Sequence, residues 1–172
     1  MVYQDIFMKV LKNTVVSLSY TMRLNNSTGE VIEDMTEAHP FIFLFTEGAL
    51  LPKFEKQIQD LQSGDQFEFV VSPEEAYGEY DDESVVRLPK TMFEVNGKFD
   101  YKGVKEGEWI PLKTEDGNLV EAEVLAIDDE FVEVDFNHEL AGATLYFAGE
   151  VLGIRPASKQ EISQGFSVEE EE

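Results

Sequence analysis

The sequence predicts an α+β fold that is mostly β, and three observations lead to this expectation. Apolar residues recur at every second position along several stretches, which is the spacing of strands with one buried face. Between residues 50 and 61 the spacing changes to that of a helix. Residues 84–135 have strand and turn patterns of their own, typical of a small β-rich insert. With 172 residues, 42% of them hydrophobic, the chain can form one packed domain and a smaller second unit.

The elements before the insert follow from these spacings. Alternating apolar residues predict a first strand over residues 13–24. The helical face predicts one short helix over about residues 52–62, for which Pro52 suits the first turn and Gly64 suits the stop. Three further strands are predicted at residues 30–34, 40–45 and 66–71.

The insert is predicted to be a β-meander of three strands, joined by turns at residues 115–118 and 128–129. A long final strand is predicted over residues 143–155. An insert is tolerated in a loop whose ends lie close together, so the main domain can be discontinuous. The predicted organisation is a main domain of residues 1–83 and 136–156, an insert of residues 84–135 and an acidic tail of residues 157–172, whose last four residues are glutamates.

The charge of the chain excludes several classes of partner. Thirteen Lys and Arg residues stand against 36 Asp and Glu residues, a net charge of −23. Such a surface repels phosphate backbones, so we expect no nucleic-acid binding, and it disfavours an anionic membrane surface as well. No run approaches the roughly 20 apolar residues that cross a bilayer, and the first eight residues are too polar for a signal core. We expect a cytoplasmic monomer.

The composition also limits the chemistry. The chain has no cysteine, which excludes disulfides, thiolate metal sites and thiol catalysis. Two histidines, His39 and His138, are too few for a histidine-based metal cluster. We therefore expect neither a metal nor a cofactor.

Two motifs on either side of the insert are the most specific features of the sequence. Ala76-Tyr77-Gly78 precedes the insert, and Asn137-His-Glu-Leu-Ala-Gly142 follows it. Together with the stretches at residues 15–20, 73–80, 86–90 and 143–147, these motifs resemble the SlyD-type, FKBP-like peptidyl-prolyl isomerases over nearly the whole chain. The resemblance implies a curved antiparallel sheet around one short helix, with the insert in the flap loop.

The resemblance also implies a function. The main domain would speed rotation about Xaa-Pro bonds, and the insert would bind unfolded chain as a chaperone. The expected partners are unfolded or nascent polypeptides and proline-containing peptides. Many relatives end in a tail rich in histidine and cysteine that binds nickel, and this chain lacks such a tail, so a metal-delivery role is disfavoured. The alternative function is a holdase-type peptide-binding module with weak or no isomerase activity.

The isomerase reaction sets the residue types that a site needs. Rotation about an Xaa-Pro bond crosses a barrier of about 20 kcal/mol and makes or breaks no bond, so apolar walls with a few hydroxyl or carboxyl groups suffice. The family carboxylate can come from Glu33 or from its neighbour Asp34. Carried over by motif, the catalytic candidates are Tyr20, Ile32, Glu33, Phe41, Leu50, Leu51, Phe54, Tyr77 and Phe147.

A second site is expected on the insert, because a small sheet cannot bury both of its faces. An exposed apolar face or an open strand edge can accept an extended client segment by strand addition. About half of the candidates are expected to form the core of the insert instead. The candidates are Val85, Val86, Leu88, Met92, Phe93, Val95, Phe99, Trp109, Ile110 and Val124.

Overall fold

The computed structural model describes residues 8–167, which divide into two compact units. The first unit runs up to Gly78 and resumes at Gly142, and the second unit is Glu79–Ala141. The second unit is thus wider than the insert of residues 84–135 that the sequence predicts. The added residues belong to it because Asp81 and Asn137 exchange hydrogen bonds of 2.9 and 3.0 Å.

The strands and helices of the two units follow one another along the chain with short connections. They are β1 (Thr14–Leu24), β2 (Val31–Met35), β3 (Phe41–Phe45), α1 (Pro52–Ile58), β4 (Gln66–Val71), β5 (Val85–Pro89), β6 (Glu94–Val95), β7 (Lys98–Phe99), β8 (Trp109–Lys113), β9 (Leu119–Ile127), β10 (Phe131–Asp135), β11 (Leu145–Pro156) and α2 (Lys159–Gln164), with short 3-10 turns at Pro73–Glu75, Asp82–Ser84 and Lys90–Phe93.

The first unit is a five-stranded antiparallel sheet built around β1. This strand pairs along its whole length with β11, and β4 pairs with the far side of β11. On its other side, β1 pairs with β3 over its first half and with β2 over its second half. Alternate residues of β1, such as Val16, Leu18 and Met22, are buried, as the spacing of two predicts. The mostly β fold with one sheet and a short helix is confirmed.

Helix α1 packs on this sheet through Phe54 and Ile58, which are buried. It ends at Ile58, four residues before the predicted end. Asp60 has a φ of 68° and donates its backbone N–H to the Val10 carbonyl at 3.0 Å, while the Val10 N–H bonds the Leu61 carbonyl at 2.9 Å. These bonds to the segment before β1 stop the helix where its hydrophobic spacing alone would continue it.

The second unit is a four-stranded antiparallel sheet in the order β5-β10-β9-β8, with the small hairpin of β6 and β7. The predicted meander corresponds to β8, β9 and β10. The fourth strand, β5, was not predicted; it pairs with β10 from Val85 opposite Asp135 to Pro89 opposite Phe131. The core of this unit is formed by Phe93, Val104, Ile110, Ala122, Val124, Val132 and Val134.

The chain after β11 differs from the predicted acidic tail, because it forms α2. Ser158 caps this helix and accepts the Glu161 N–H at 3.1 Å. Glu161 is 2% exposed and receives two bonds, of 2.7 and 2.8 Å, from the Arg155 guanidinium. The cap and the ion pair order residues whose composition alone suggests a solvated tail. The terminal run of glutamates lies outside the described residues. Within residues 8–167, no helix is long and apolar enough to span a membrane.

Candidate functional site

The first unit contains a largely apolar cavity of about 380 Å³, which lies where β1, β2, β3 and β11 face the start of α1. This volume is within the range of sites that bind small ligands or single side chains. Its walls come from aromatic and aliphatic side chains, and its polar groups are two tyrosines and one carboxylate. The lining residues are Tyr20, Met22, Glu33, Phe41, Ala49, Leu50, Leu51, Pro52, Phe54, Tyr77 and Phe147.

Phe54 forms the floor of the cavity and is the centre of an aromatic cluster. Its ring centroid lies 5.1 Å from that of Phe147 and 5.2 Å from that of Phe69, both in edge-on geometry. Tyr20 and Phe67 contact it at 5.8 Å each. Edge-on aromatic contacts add to the stability that buried area gives, so these contacts help to hold the floor in place.

The first turn of α1 positions the floor. Pro52 occupies the first turn, where its fixed φ favours the helix and its missing N–H costs no hydrogen bond. The carboxylate of Glu55 accepts the backbone N–H of Leu50 at 3.0 Å, which ties the preceding loop to the helix. Leu50 and Leu51 are thereby held at the cavity wall, one turn before Phe54.

Tyr20 and Glu33 form the polar pair of the cavity. The Tyr20 hydroxyl donates to Glu33 Oε1 across β1 and β2. Burial, followed by this bond to a carboxylate, raises the pKa of Tyr20 well above its ordinary value, so the phenol stays protonated. Asp34 instead accepts the Thr21 hydroxyl at 3.0 Å. The carboxylate that lines the cavity is therefore Glu33.

Tyr77 reaches the cavity from the loop that ends the first half of this unit. The 3-10 turn Pro73–Glu75 precedes it, and the N–H of Gly78 bonds the Pro73 carbonyl at 2.7 Å. Gly78 has a φ of 84°, a conformation that favours glycine, and its carbonyl accepts the Gly142 N–H at 2.7 Å. This closed loop fixes Tyr77, which is 39% exposed.

Gly149 lies between two strands that carry residues of the cavity and of its aromatic cluster. It lies opposite Tyr20 in β1 and opposite Phe67 in β4. A Cβ at this position would lie 2.1 Å from the Ser19 carbonyl oxygen and 2.7 Å from the Tyr20 Cβ. Only glycine allows the three strands to place Tyr20 and Phe67 as they are.

The structure brings together all of the predicted catalytic candidates except Ile32. Ile32 is exposed because β2 is bulged at that point: Glu33 pairs with Met22 and Val31 pairs with Arg23, so Ile32 has no partner. Three lining residues were missed, namely Met22, Ala49 and Pro52. Met22 could have been predicted from the sequence, since it lies two residues after Tyr20 in a strand and hence on the same face.

The candidates on the insert separate into core and surface. Phe93, Ile110 and Val124 are buried core residues and present little or no surface to a client. Three others, Val86, Leu88 and Phe99, are partly buried against that core, and Val85 is also half-buried. Met92, Val95 and Trp109 are exposed.

The arrangement in the first unit suits a reaction that needs exclusion of water rather than an ion or a nucleophile. Aromatic walls can enclose a proline ring, and the hydroxyls and the carboxylate can bond an amide. Within residues 8–167, no group of three or more His, Asp or Glu side chains is arranged to hold a metal.

Comparison with known proteins identifies the family. A family model described as FKBP-type peptidyl-prolyl cis-trans isomerase matches residues 8–111. The FKBP-type peptidyl-prolyl cis-trans isomerase SlyD of Haemophilus influenzae is 37% identical over 160 residues, which cover 92% of this chain and 79% of the relative. The SlyD proteins of Yersinia pestis and Escherichia coli (strain K12) are 36% and 35% identical, over 92% of this chain and 77% and 76% of the relatives. The predicted family and enzyme class are confirmed, and the chain belongs to the FKBP-type peptidyl-prolyl cis-trans isomerases.

Proposed function

We propose that the cavity of the first unit is where Xaa-Pro bonds of unfolded polypeptides rotate, and that the second unit holds those polypeptides as a chaperone. The observation that carries the proposal is the composition of the cavity. Apolar walls built on Phe54 and Phe147 surround a hydrogen-bonded pair, Tyr20 and Glu33.

The walls lower the barrier to rotation by removing water. Resonance stabilises the planar amide and separates charge within it. The twisted amide has less charge separation, so a dry environment favours the twisted state relative to the planar one. Phe41, Phe54 and Phe147 are the rings that would enclose the proline. Because the Tyr20 hydroxyl donates a hydrogen bond to Glu33, its oxygen is left as an acceptor, and the pair is a fixed dipole within the apolar site.

The second unit contributes a surface rather than a catalytic wall. Apolar area is exposed by Met92 in the turn after β5, by Val95 in the β6–β7 hairpin and by Trp109 in β8. The four-stranded sheet has β5 and β8 as its edge strands. An extended client segment can bind such a surface and add to an open edge. Because both units are parts of one chain, a client bound to one is presented to the other at an effective concentration on the order of millimolar.

The partners proposed are unfolded or nascent polypeptides, with proline-containing peptides as the minimal substrate. A monomeric state is part of the proposal, and the net charge of −23 supports it through mutual repulsion of copies. The cytoplasmic location stays a prediction from sequence.

A protease-free assay on a short proline peptide tests the proposal. Phe147→Ala and Tyr77→Ala should each lower kcat/KM at least tenfold, about 1.4 kcal/mol of transition-state stabilisation. Val70→Ala, at an exposed position of β4, is the matched control and should keep full activity. Unchanged activity in folded Phe147→Ala and Tyr77→Ala variants would show that the reaction takes place elsewhere. Strong suppression of aggregation by a wild-type chain that does not isomerise the peptide would favour the holdase alternative.

A further inference from the structure

A second cavity, of about 440 Å³, is formed wholly by residues of the second unit. Trp109 and Phe136 give it aromatic walls, and Glu121 and Glu139 give it two carboxylates. The described residues that line it include no lysine or arginine. The cavity therefore combines aromatic side chains with negative charge, and both features attract a cation.

The strand register places a carboxylate beside the indole ring. Trp109 of β8 pairs with Glu123 of β9, and Pro111 pairs with Glu121. Glu121 is therefore the diagonal neighbour of Trp109 on one face of the sheet. Diagonal neighbours lie about 7–8 Å apart, within reach of long side chains. A cation above the indole can meet a carboxylate at the same time.

Trp109 is open to such a contact. Its side chain is 38% exposed. Elsewhere in the unit, the cations of the chain itself cover ring faces: the Arg87 guanidinium lies 4.5 Å from the Phe131 centroid, and the Lys90 ammonium lies 4.7 Å from the Phe99 centroid. Among residues 8–167, by contrast, no ring and no cation packs on Trp109 in this way.

The remaining polar groups of the cavity have structural partners. The Asn137 amide bonds the backbone of Asp81 in both directions, at 2.9 and 3.0 Å. The Nδ1 atom of His138 accepts the Leu140 N–H at 3.0 Å. Glu121 and Glu139 are thus the carboxylates that line the cavity, and Glu123 lies opposite Trp109 in the neighbouring strand. They lie in a unit that carries 18 acidic against six basic side chains, which raises the local concentration of cationic segments.

We propose that this cavity is a subsite for an arginine side chain of an extended client segment. A guanidinium is planar and always charged, stacks on aromatic faces and bonds carboxylates with two parallel donors, so it matches both features of the cavity. The inference rests on the proposed client-binding role of the second unit. It assigns to this unit a preference for arginine in the bound segment, which apolar contacts alone do not give.

Two peptides that differ in one residue test the subsite on the full chain. Both are unstructured and free of tryptophan and proline; one carries arginine, and the other carries citrulline, which has the same shape without the charge. Trp109 is the one tryptophan of the chain, so its fluorescence reports on occupancy of the cavity directly. We expect the citrulline peptide to bind about five- to tenfold more weakly than the arginine peptide.

Two double variants separate the subsite from the general charge of the surface. Glu121→Gln with Glu139→Gln should abolish the preference for arginine. Glu115→Gln with Asp116→Asn, in the turn between β8 and β9, removes the same charge and should keep the preference. Equal affinities of the two peptides for the wild-type chain would overturn the subsite alone. The subsite would also be overturned if the preference for arginine survived in the variant with Glu121→Gln and Glu139→Gln, or if it fell equally in both double variants. Failure of both peptides to bind would overturn the client-binding role and the subsite together.

Discussion

Alanine at position 149 should disturb the proline cavity without removing any residue that lines it. A Cβ on Gly149 would lie 2.1 Å from the Ser19 carbonyl oxygen, 2.7 Å from the Tyr20 Cβ and 2.8 Å from the Phe67 Cζ. These contacts are far inside van der Waals distance, and the nearest atom belongs to strand backbone, which cannot swing aside as the end of a side chain can. The strands must separate, and Tyr20 and Phe67 must move.

The size of the effect follows from overpacking and from the contacts that are shifted. Inserting a methyl group into a packed region costs about 1–3 kcal/mol of unfolding free energy. Tyr20 lines the cavity, and Phe67 contacts the floor residue Phe54 at 5.8 Å between centroids. We expect kcat/KM on a proline peptide to fall about tenfold, which corresponds to about 1.4 kcal/mol in the transition state.

Gly153 provides a matched control in the same strand. A Cβ at Gly153 would meet no atom within 4 Å, and both glycines lie in β11. Gly153→Ala should leave kcat/KM unchanged and keep or slightly raise stability, because alanine restricts the unfolded chain more than glycine does. Urea unfolding and the protease-free peptide assay measure both quantities. Equal losses in the two variants, or full activity in Gly149→Ala, would refute the reasoning.

Three further predictions concern side chains of the two units. Glu33→Gln should cost less peptide isomerase activity than Phe54→Ala, because the reaction transfers no proton and the floor excludes water; the reverse order would mean that the carboxylate dominates. The raised pKa of Tyr20 gives stability that is complete below about pH 10, the ordinary pKa of tyrosine, and is lost as the pH rises above it. The urea midpoint should thus fall less between about pH 9 and 11 in Tyr20→Phe than in the wild type, and an equal fall would contradict this. Replacing Met92 and Val95 together by serine should weaken suppression of aggregation and spare peptide activity; undiminished suppression would place the client elsewhere.

Most of the sheet could be predicted from the sequence, because alternation of apolar residues sets which face of a strand is buried. The features that could not be predicted are determined by contacts between residues that are distant in sequence. The helix stops at Ile58 because Val10 takes the hydrogen bonds of the residues that follow. Ile32 misses the cavity because of a bulge that depends on pairing with β1. That pairing also decides between Glu33 and Asp34, which are equivalent in sequence terms.

The two units differ in how far their sites could be predicted. The motifs of the first unit identify nearly all of the residues that line its cavity, since a match to family motifs assigns site residues position by position. In the second unit, both sheet faces carry apolar residues, so the sequence could not distinguish the buried Ile110 from the exposed Trp109. The helix at the end of the chain did leave a signal. Ser158 and Glu161 have the spacing of a capping box, which the acidic composition of the segment obscured.

The central claim is that the first unit isomerises Xaa-Pro bonds and the second unit binds the client. The most direct test of this claim is to remove the second unit and compare two substrates. The Gly142 N–H bonds the Gly78 carbonyl at 2.7 Å, so a short glycine-containing loop can replace residues 79–141. All residues that line the proline cavity remain, and kcat/KM on a short proline peptide should stay within about twofold of the wild type. Catalysis of proline-limited refolding of a protein should fall by about 100-fold, the effect of losing a tethered second binding site. An equal fall with both substrates would contradict the account, because it would mean that the second unit shapes the proline cavity itself.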